Sequence, residues 1–423
     1  MDIFNYHSDC REGKIEILPS KRLKTVKDLS VAYTPGVGKV SEEIHKDPEK
    51  VYEYTSIGNL VAIVTNGTAV LGLGDIGNKA AKPVMEGKSV LFKLFADIDA
   101  IDIEVEDKEP ESFVRTVKSI AGTFGGINLE DIKAPECFQI EESLKSQLDI
   151  PVMHDDQWGT ATVILAGLWN ALYLVNKRIS NVKIVINGAG SSALATAQLL
   201  KKAGAKNIYV LDSKGLISTY RTDLNPYKQK VAVNEPVKQL DEVIKGADVF
   251  IGLSVGNILK EENLKNMSEH PIIFALANPI PEIYPDLALK IRKDGILATG
   301  RSDFYNQINN LISFPYIFRA ALDTRAKINM DMLISASKAI SEIAKLPVPE
   351  YITQIYGEKF EFGKEYIIPK PFDRRLLLNV PVEIVKATIQ TGTAKINIDL
   401  RTYPKELEKR LERIEKINPI CSL

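Results

Sequence analysis

Cysteine is scarce in this chain: Cys10, Cys137 and Cys421 are the three among 423 residues. They are odd in number, far apart and outside any C-x-x-C pair, which argues against a disulfide framework or a cysteine zinc site. With four histidines in total, a His-based zinc site is equally poorly supplied. Surplus charge is missing too, since 54 Lys and Arg face 55 Asp and Glu for a net charge of −1. No basic block stands out, so the chain lacks the field that holds a nucleic-acid backbone or an anionic membrane. The start, Met1-Asp2-Ile3-Phe4-Asn5, has no basic-then-apolar leader. The longest uncharged window, Gln157 to Asn176, is about the length of a bilayer span, but it carries Thr160, Thr162 and Asn170 and reads as a buried helix. Repeats and low-complexity tracts are absent. These absences fit a protein of a reducing cytoplasm with neither membrane nor nucleic-acid partners.

What is present is length and pattern. One hydrophobic core stops growing at roughly 250 to 300 residues, so the chain must divide into at least two lobes. Residues 15 to 150 mix short apolar runs such as Leu60-Val61-Ala62-Ile63-Val64 with Gly and Pro punctuation, the pattern of a mixed α/β lobe. From about 160 to 300, β-branched strands (Val182 to Ile186, Asn207 to Leu211, Asp248 to Ile251, Pro271 to Leu276) alternate with helices, implying parallel βαβ units. Beyond 315 the chain reads as helical from Phe318 to Lys345, then Pro-rich and aromatic from Leu346 to Phe372, with helices near 381 to 391 and 403 to 417. The expected fold class is α/β: a Rossmann-type doubly wound dinucleotide-binding domain after an N-terminal mixed α/β domain, with C-terminal helices running back toward the first.

Two stretches follow the G-x-G-x-x-G pattern. Gly188-Ala189-Gly190-Ser191-Ser192-Ala193 follows a strand and opens a helix predicted over Leu194 to Ala203. That context lets glycines approach a pyrophosphate and helix amides face it. Asp212 ends the next strand, 22 residues beyond Gly190, where an acid accepts hydrogen bonds from a ribose 2′-hydroxyl. Ser213, Lys214 and Arg221 follow closely and suit a 2′-phosphate, so the set leans slightly to NADP over NAD. Gly72-Leu73-Gly74-Asp75-Ile76-Gly77 is followed by Pro83 and Gly87 without a clean helix, and reads as a glycine turn shaping a pocket wall.

Two acidic pairs sit in surroundings of low charge: Glu130-Asp131 and Asp155-Asp156. Converging, their oxygens suit Mg²⁺ or Mn²⁺; apart, they are helix N-terminal charges. Beside the second pair, His154 reads as a packing or hydrogen-bonding neighbour. Tyr33, before the turn Thr34-Pro35-Gly36, and Lys88, after Gly87, would not be chosen singly.

Together, Tyr33-Thr34-Pro35-Gly36-Val37, Gly72 to Gly77, Pro83-Val84-Met85-Glu86-Gly87-Lys88, Asn128 to Asp131, His154-Asp155-Asp156-Gln157-Trp158-Gly159-Thr160, Asn187 to Ser192, Ala277-Asn278-Pro279 and Asn309 to Pro315 resemble the malic enzyme family in its short bacterial and archaeal form. The resemblance covers roughly residues 30 to 320. It implies Glu130, Asp131 and Asp156 as ligands of Mg²⁺ or Mn²⁺, Tyr33 and Lys88 as the acid/base pair, and Lys88, Asn278 and the Asn309-Asn310 pair at the substrate carboxylates, with Asn278 also near the cofactor. Residues 1–155 would be a malate- and metal-binding catalytic domain, 156–320 an NAD(P)-binding domain and 321–423 a helical segment. The implied reaction is metal-dependent oxidative decarboxylation of (S)-malate to pyruvate and CO₂, with decarboxylation of oxaloacetate alongside, in a homodimer. One departure is that Ala69-Val70-Leu71 precede Gly72, where larger relatives carry an arginine for malate. The competing assignments are a malolactic enzyme, releasing lactate and retaining its cofactor, and a non-catalytic dinucleotide-binding regulator.

Overall fold

A computed structural model describes residues 2–8, 12–70 and 72–417; Cys10, Leu71 and Cys421 lie outside them. Two sheets organise the chain. The first comprises β1 (Leu60–Thr65), β2 (Asp99–Glu104), β3 (Gly126–Leu129) and β4 (Val152–His154), all parallel, in the order β2-β1-β3-β4. The second comprises β5 (Lys183–Asn187), β6 (Asn207–Asp212), β7 (Gly215–Leu216), β8 (Val249–Gly252), β9 (Ile272–Ala275) and β10 (Ile296–Thr299), in the order β10-β9-β8-β5-β6-β7, with β7 alone antiparallel. Most of these strands are buried along their length, which is why they read as continuous apolar runs rather than alternations. In the second sheet the chain steps from β5 to β6 on one side and returns through β8 on the other. That reversal opens a crevice at the carboxyl ends of β5 and β8, the dinucleotide position of a doubly wound sheet.

The uncharged window forms the helix Asp155–Leu174, buried on nearly every side. It starts from β4 and packs against helices Ser191–Lys202 and Met330–Lys345, so one helix ties the first sheet to the second. No helix among the described residues is long and apolar enough to cross a membrane. The C-terminal helices return to the first lobe as expected. Phe314 and Phe318, on the helix Phe314–Thr324, set their rings 4.8 and 5.3 Å from Phe92, and Arg410 and Arg413 on the helix Tyr403–Glu415 reach Asp97.

Several helical expectations need correction. Pro83 and Gly87 do not interrupt the chain: both lie inside the helix Asn78–Ala96. A proline interior to a helix costs about 3 kcal/mol, but Ala81, Met85, Phe92 and Ala96 recur at helical spacing and are buried, with Lys88 and Ser89 buried among them, and that packed face outweighs the lost bond. The run from Phe318 to Lys345 is two helices, broken at Arg325, whose φ is 50°. Within 346–372 a short helix, Glu350–Tyr356, forms, and the next begins at Arg375 with Pro381 in its interior. The glycine-loop helix starts at Ser191, three residues before its predicted start.

Candidate active site

The two acidic pairs, 25 residues apart in sequence, meet because β3 and β4 are parallel neighbours. Leu129 pairs with His154, so Glu130-Asp131 and Asp155-Asp156 leave the same edge of the sheet side by side. Glu130, Asp131 and Asp156 each bring a carboxylate oxygen within 4.8 Å of the others. The backbone helps: Asp131 adopts a left-handed φ of 53°, and its N–H donates to Asp156 Oδ2 at 2.9 Å. Asn128 Nδ2 donates to Glu130 Oε2 at 2.8 Å. Burial, and then Asp156 and Glu130, push the Asp131 carboxyl up to about 9. Glu130 and Asp156 are raised as well, chiefly by burial, and Asp131 Oδ2 is buried with no hydrogen-bond partner. A cluster of hard oxygens with too much negative charge and an unsatisfied lone pair fits a divalent cation such as Mg²⁺ or Mn²⁺.

Lys88 enters from the helix Asn78–Ala96. Its Nζ lies 2.6 Å from Asp155 Oδ2 and 2.9 Å from Glu130 Oε1, and 4.2 Å from the centre of the Phe314 ring. Burial opposes its charge, but Asp155 and Glu130 prevail and hold the ammonium above its ordinary value. Asn310 Nδ2 donates to the same Asp155 oxygen at 2.7 Å. Asn309 instead spends its side-chain oxygen on the Leu311 N–H, so of the two asparagines Asn310 faces the lysine. His154 is fully buried, and burial pushes its imidazole down to about 4.

The second half of the site lies on the second sheet. Gly188 has a φ of 133°, and a Cβ there would stand 2.4 Å from the Leu253 oxygen at the end of β8; only glycine closes this turn. A Cβ on Gly190 would meet nothing within 4 Å, so the loop is open on the side where Ser191, Ser192 and Ala193 begin their helix. Such a loop fits a dinucleotide pyrophosphate. Asp212 is not the free ribose acceptor that the sequence implies. Arg221 grips it with bonds of 2.8 and 3.0 Å, Lys228 Nζ reaches it at 2.7 Å and the Lys214 N–H at 2.9 Å. Burial works against the charged form, yet these donors hold the carboxyl down to about 2. Ser213 and Lys214 are exposed, with Lys214 Nζ 2.7 Å from Asp223.

Asn278 stands where the lobes touch. A Cβ on Gly72 would be 2.8 Å from its backbone oxygen, so the missing side chain at residue 72 lets the Asn278 loop approach. Fully buried Glu282 braces that loop, accepting from Ala277 N at 3.0 Å and Ser254 N at 3.2 Å. Tyr33, like Asn309, does not join the cluster: it is 69% exposed and its side chain makes no hydrogen bond to a described residue. Gly159 is the residue that motif reading passes over, and Asp155, read only as one of an acidic pair, turns out to be the partner of Lys88. The available signal was an aspartate pair followed by a glycine at the head of an otherwise uncharged helix.

Comparison with known proteins matches two family models, "malic enzyme, N-terminal domain" over residues 12–145 and "malic enzyme, NAD binding domain" over 158–356. An NADP-dependent malic enzyme of Rhizobium meliloti is 49% identical over 98% of this chain, which spans 55% of that protein. The chain thus covers about half the length of such relatives. An NADP-dependent malic enzyme of Halomonas elongata is 48% identical over 95% of this chain and 94% of its own. The crystal structure of malic enzyme from Pyrococcus horikoshii superimposes with a TM-score of 0.90 at 40% identity, covering 97% of this chain and 95% of that one. The chain belongs to the malic enzyme family.

Proposed function

We propose that the protein oxidatively decarboxylates (S)-malate to pyruvate and CO₂ while reducing NAD(P)⁺, in a reaction that requires a divalent cation. The observation that carries this is the junction of Lys88 with Asp155 and Glu130 beside the Glu130, Asp131 and Asp156 oxygens. It couples a proton carrier to a cation site at the edge where the two lobes meet. Residues 1–155 supply Lys88, Glu130 and Asp131, and 156–320 supply the dinucleotide groups together with Asp156, Asn278 and Asn310; the helices after 320 pack against them.

A cation held by Glu130, Asp131 and Asp156 would supply Lewis acidity toward the malate oxygens, and a nicotinamide would accept the hydride. The rest falls to the chain. Lys88 is the base for the 2-hydroxyl. As an ammonium between two carboxylates it cannot accept a proton, but Glu130 cannot serve Lys88 and a cation equally. Drawn to a cation, Glu130 withdraws one of the two charges that keep Nζ protonated, and Asp155 remains 2.6 Å away to take the proton. Asn278 and Asn310 offer amide donors to the substrate carboxylates, replacing the arginine that the Gly72 turn lacks. Tyr33 protonates the enolate carbon left by loss of CO₂. Exposed Ile17, Leu18, Val26, Leu29 and Val31 surround it in sequence. An apolar stretch of that kind fits association with a second copy, so we assign a homodimer in which Tyr33 reaches the partner's Lys88.

NADP⁺ is the favoured coenzyme. With Asp212 saturated by Arg221 and Lys228, no free carboxylate is left to repel a 2′-phosphate. The test is an assay of the full chain with (S)-malate, Mn²⁺ and either coenzyme. Metal-dependent formation of reduced coenzyme and pyruvate in equal amounts is expected. No reduction under any combination overturns the proposal, and lactate without net reduction assigns malolactic chemistry instead.

A further inference from the structure

His154 ends β4 and precedes the helix that carries Asp155 and Asp156. Its side chain is fully buried, yet neither Nδ1 nor Nε2 has a hydrogen-bond partner. In any protonation state an imidazole keeps at least one N–H, and a buried donor left unpaired in a folded protein calls for an explanation. The neighbouring acid behind the helix does not provide one. Glu141 is already saturated: Oε1 accepts from the His154 backbone N–H at 3.1 Å and pairs with Lys145 Nζ at 2.7 Å, while Oε2 accepts from Gln157 and Trp158 at 3.1 and 2.9 Å. This fourfold grip fixes the backbone of His154 and the start of the helix, so the ring cannot drift to another partner.

The group that the ring does face is Asp156. Nε2 lies 3.5 Å from Asp156 Oδ2, too long for a hydrogen bond of useful strength, and that oxygen already accepts the Asp131 N–H. The Glu130, Asp131 and Asp156 oxygens stand up to 4.8 Å apart and have to draw together to share one small cation. Asp156 therefore has to adjust on loading, and a donor beside it with nothing else to bind is placed to follow.

We propose that His154 is a positioning residue for the cation site, donating from Nε2 to the Asp156 carboxylate and fixing which oxygen that aspartate turns toward the metal. Donors behind a metal-bound group commonly set its orientation and strengthen its hold on the ion. The inference rests on the cation-binding role of Glu130, Asp131 and Asp156 given under the proposed function. It adds that the strand residue before the Asp155-Asp156 pair governs the affinity of that site without touching the ion.

The test is Mn²⁺ binding to the full chain, read by the loss of free-ion electron paramagnetic resonance signal, with no substrate or coenzyme present. His154→Phe keeps bulk and removes the donor; binding about 10-fold weaker than wild type is expected, the lower end of the range for such outer contacts. His154→Gln carries its amide near the Nε2 position and should recover most of the affinity, whereas His154→Asn carries it near Nδ1 and should not. The Gln and Asn variants keep the question decidable if the Phe variant fails to fold. A space-filling role would move melting temperatures without separating Gln from Asn. Wild-type affinity in the Phe variant, or equal affinities for Gln and Asn, overturns the inference alone. Failure of the wild type to bind Mn²⁺ overturns the cation site and the inference with it.

Discussion

A Cβ on Gly159 would lie 1.7 Å from Oδ1 of Asp155. The carboxylate that pairs with Lys88 thus folds back along its own helix into the space one turn on, and that space exists because residue 159 has no side chain. Gly159→Ala should expel Asp155 from Lys88 while leaving the helix intact, since alanine is the better helix former. Misplacement by about an ångström near the reacting groups costs up to ~100-fold. We expect kcat to fall at least ~10-fold with the circular dichroism spectrum unchanged. Wild-type kcat in this variant would remove Asp155 from the mechanism.

Lys88→Ala removes the cation that pairs with Glu130 and Asp155, beside Asp131 and Asp156, from a set of four buried or half-buried carboxylates. Malate oxidation should drop by ~10²-fold to ~10⁴-fold, the range for loss of a positioned base. Coenzyme binding, which depends on the Gly188 loop of the other sheet, should stay near wild type in a fluorescence titration. Full turnover by the variant would displace Lys88 as base.

How much of this was legible in the sequence depended on how local the determinants are. The Gly188 loop could be read because strand, turn and helix are contiguous and the glycine requirement is a property of one turn. The meeting of Glu130 with Asp156 could not be derived from spacing, because it needs β3 and β4 to be neighbours in register; a resemblance supplied it instead. The helix through Pro83 and Gly87 was hidden because both residues are helix breakers by propensity, and burial on six other positions overrides them. Asp212 was recognised as an acid at a strand end, but its partners Arg221 and Lys228 lie 9 and 16 residues away, and nothing in the pattern says that they fold onto it. Gly159 stands in the sequence only as a glycine behind an aspartate pair; that its contribution is the void holding Asp155 Oδ1 is a fact of the folded helix.

Asp131 gives the metal-free protein a pH signature. Its carboxyl is pushed up to about 9, whereas an unfolded aspartate titrates near ~3.9. Between those values the folded chain holds a proton that the unfolded chain has lost, so stability falls as pH rises through that window. Glu104, raised to about 7 by burial and Asp102, adds the same slope below pH 7. Lys88 is raised and therefore protonated in both states throughout, contributing no slope. His154, lowered to about 4, adds the opposite slope only between there and its ordinary value of ~6.5. The melting temperature without metal should therefore decline from about pH 6.5 to 9, and Mn²⁺ should raise it most at the alkaline end. A flat or rising profile over that interval without metal contradicts the account of Asp131.

Arg221 is the residue to change in testing coenzyme choice. It neutralises Asp212 through two hydrogen bonds, so Arg221→Ala leaves that carboxylate less compensated where a 2′-phosphate would lie. The ratio of kcat/KM for NADP⁺ to that for NAD⁺ should fall by ~10-fold, equivalent to about 1.4 kcal/mol of discrimination. Parallel steady-state measurements with both coenzymes decide it, and an unchanged ratio places the phosphate determinant elsewhere.

The exposure of Tyr33 makes a prediction about pairs of chains. Lys88 is buried in the first lobe, while Tyr33 presents its ring to the outside from a stretch that exposes Val26, Leu29 and Val31 as well. If each Tyr33 serves the partner's Lys88, then Tyr33→Phe and Lys88→Ala homodimers are both impaired, but a mixed dimer contains one site with both wild-type residues. Mixing the two variants under conditions that exchange subunits should restore a substantial part of the activity. If tyrosine and lysine instead act within one chain, every site in the mixed dimer carries one defect, and mixing restores nothing. Rescue thus separates the two arrangements without a structure of the assembly, and sedimentation or light scattering on the same samples shows whether exchange took place. The same experiment measures the worth of the exposed apolar stretch: charged substitutions such as Val26→Glu and Leu29→Glu should lower dimer content and activity together, because a monomer would hold Lys88, Asp155 and the carboxylate cluster but no tyrosine to complete them.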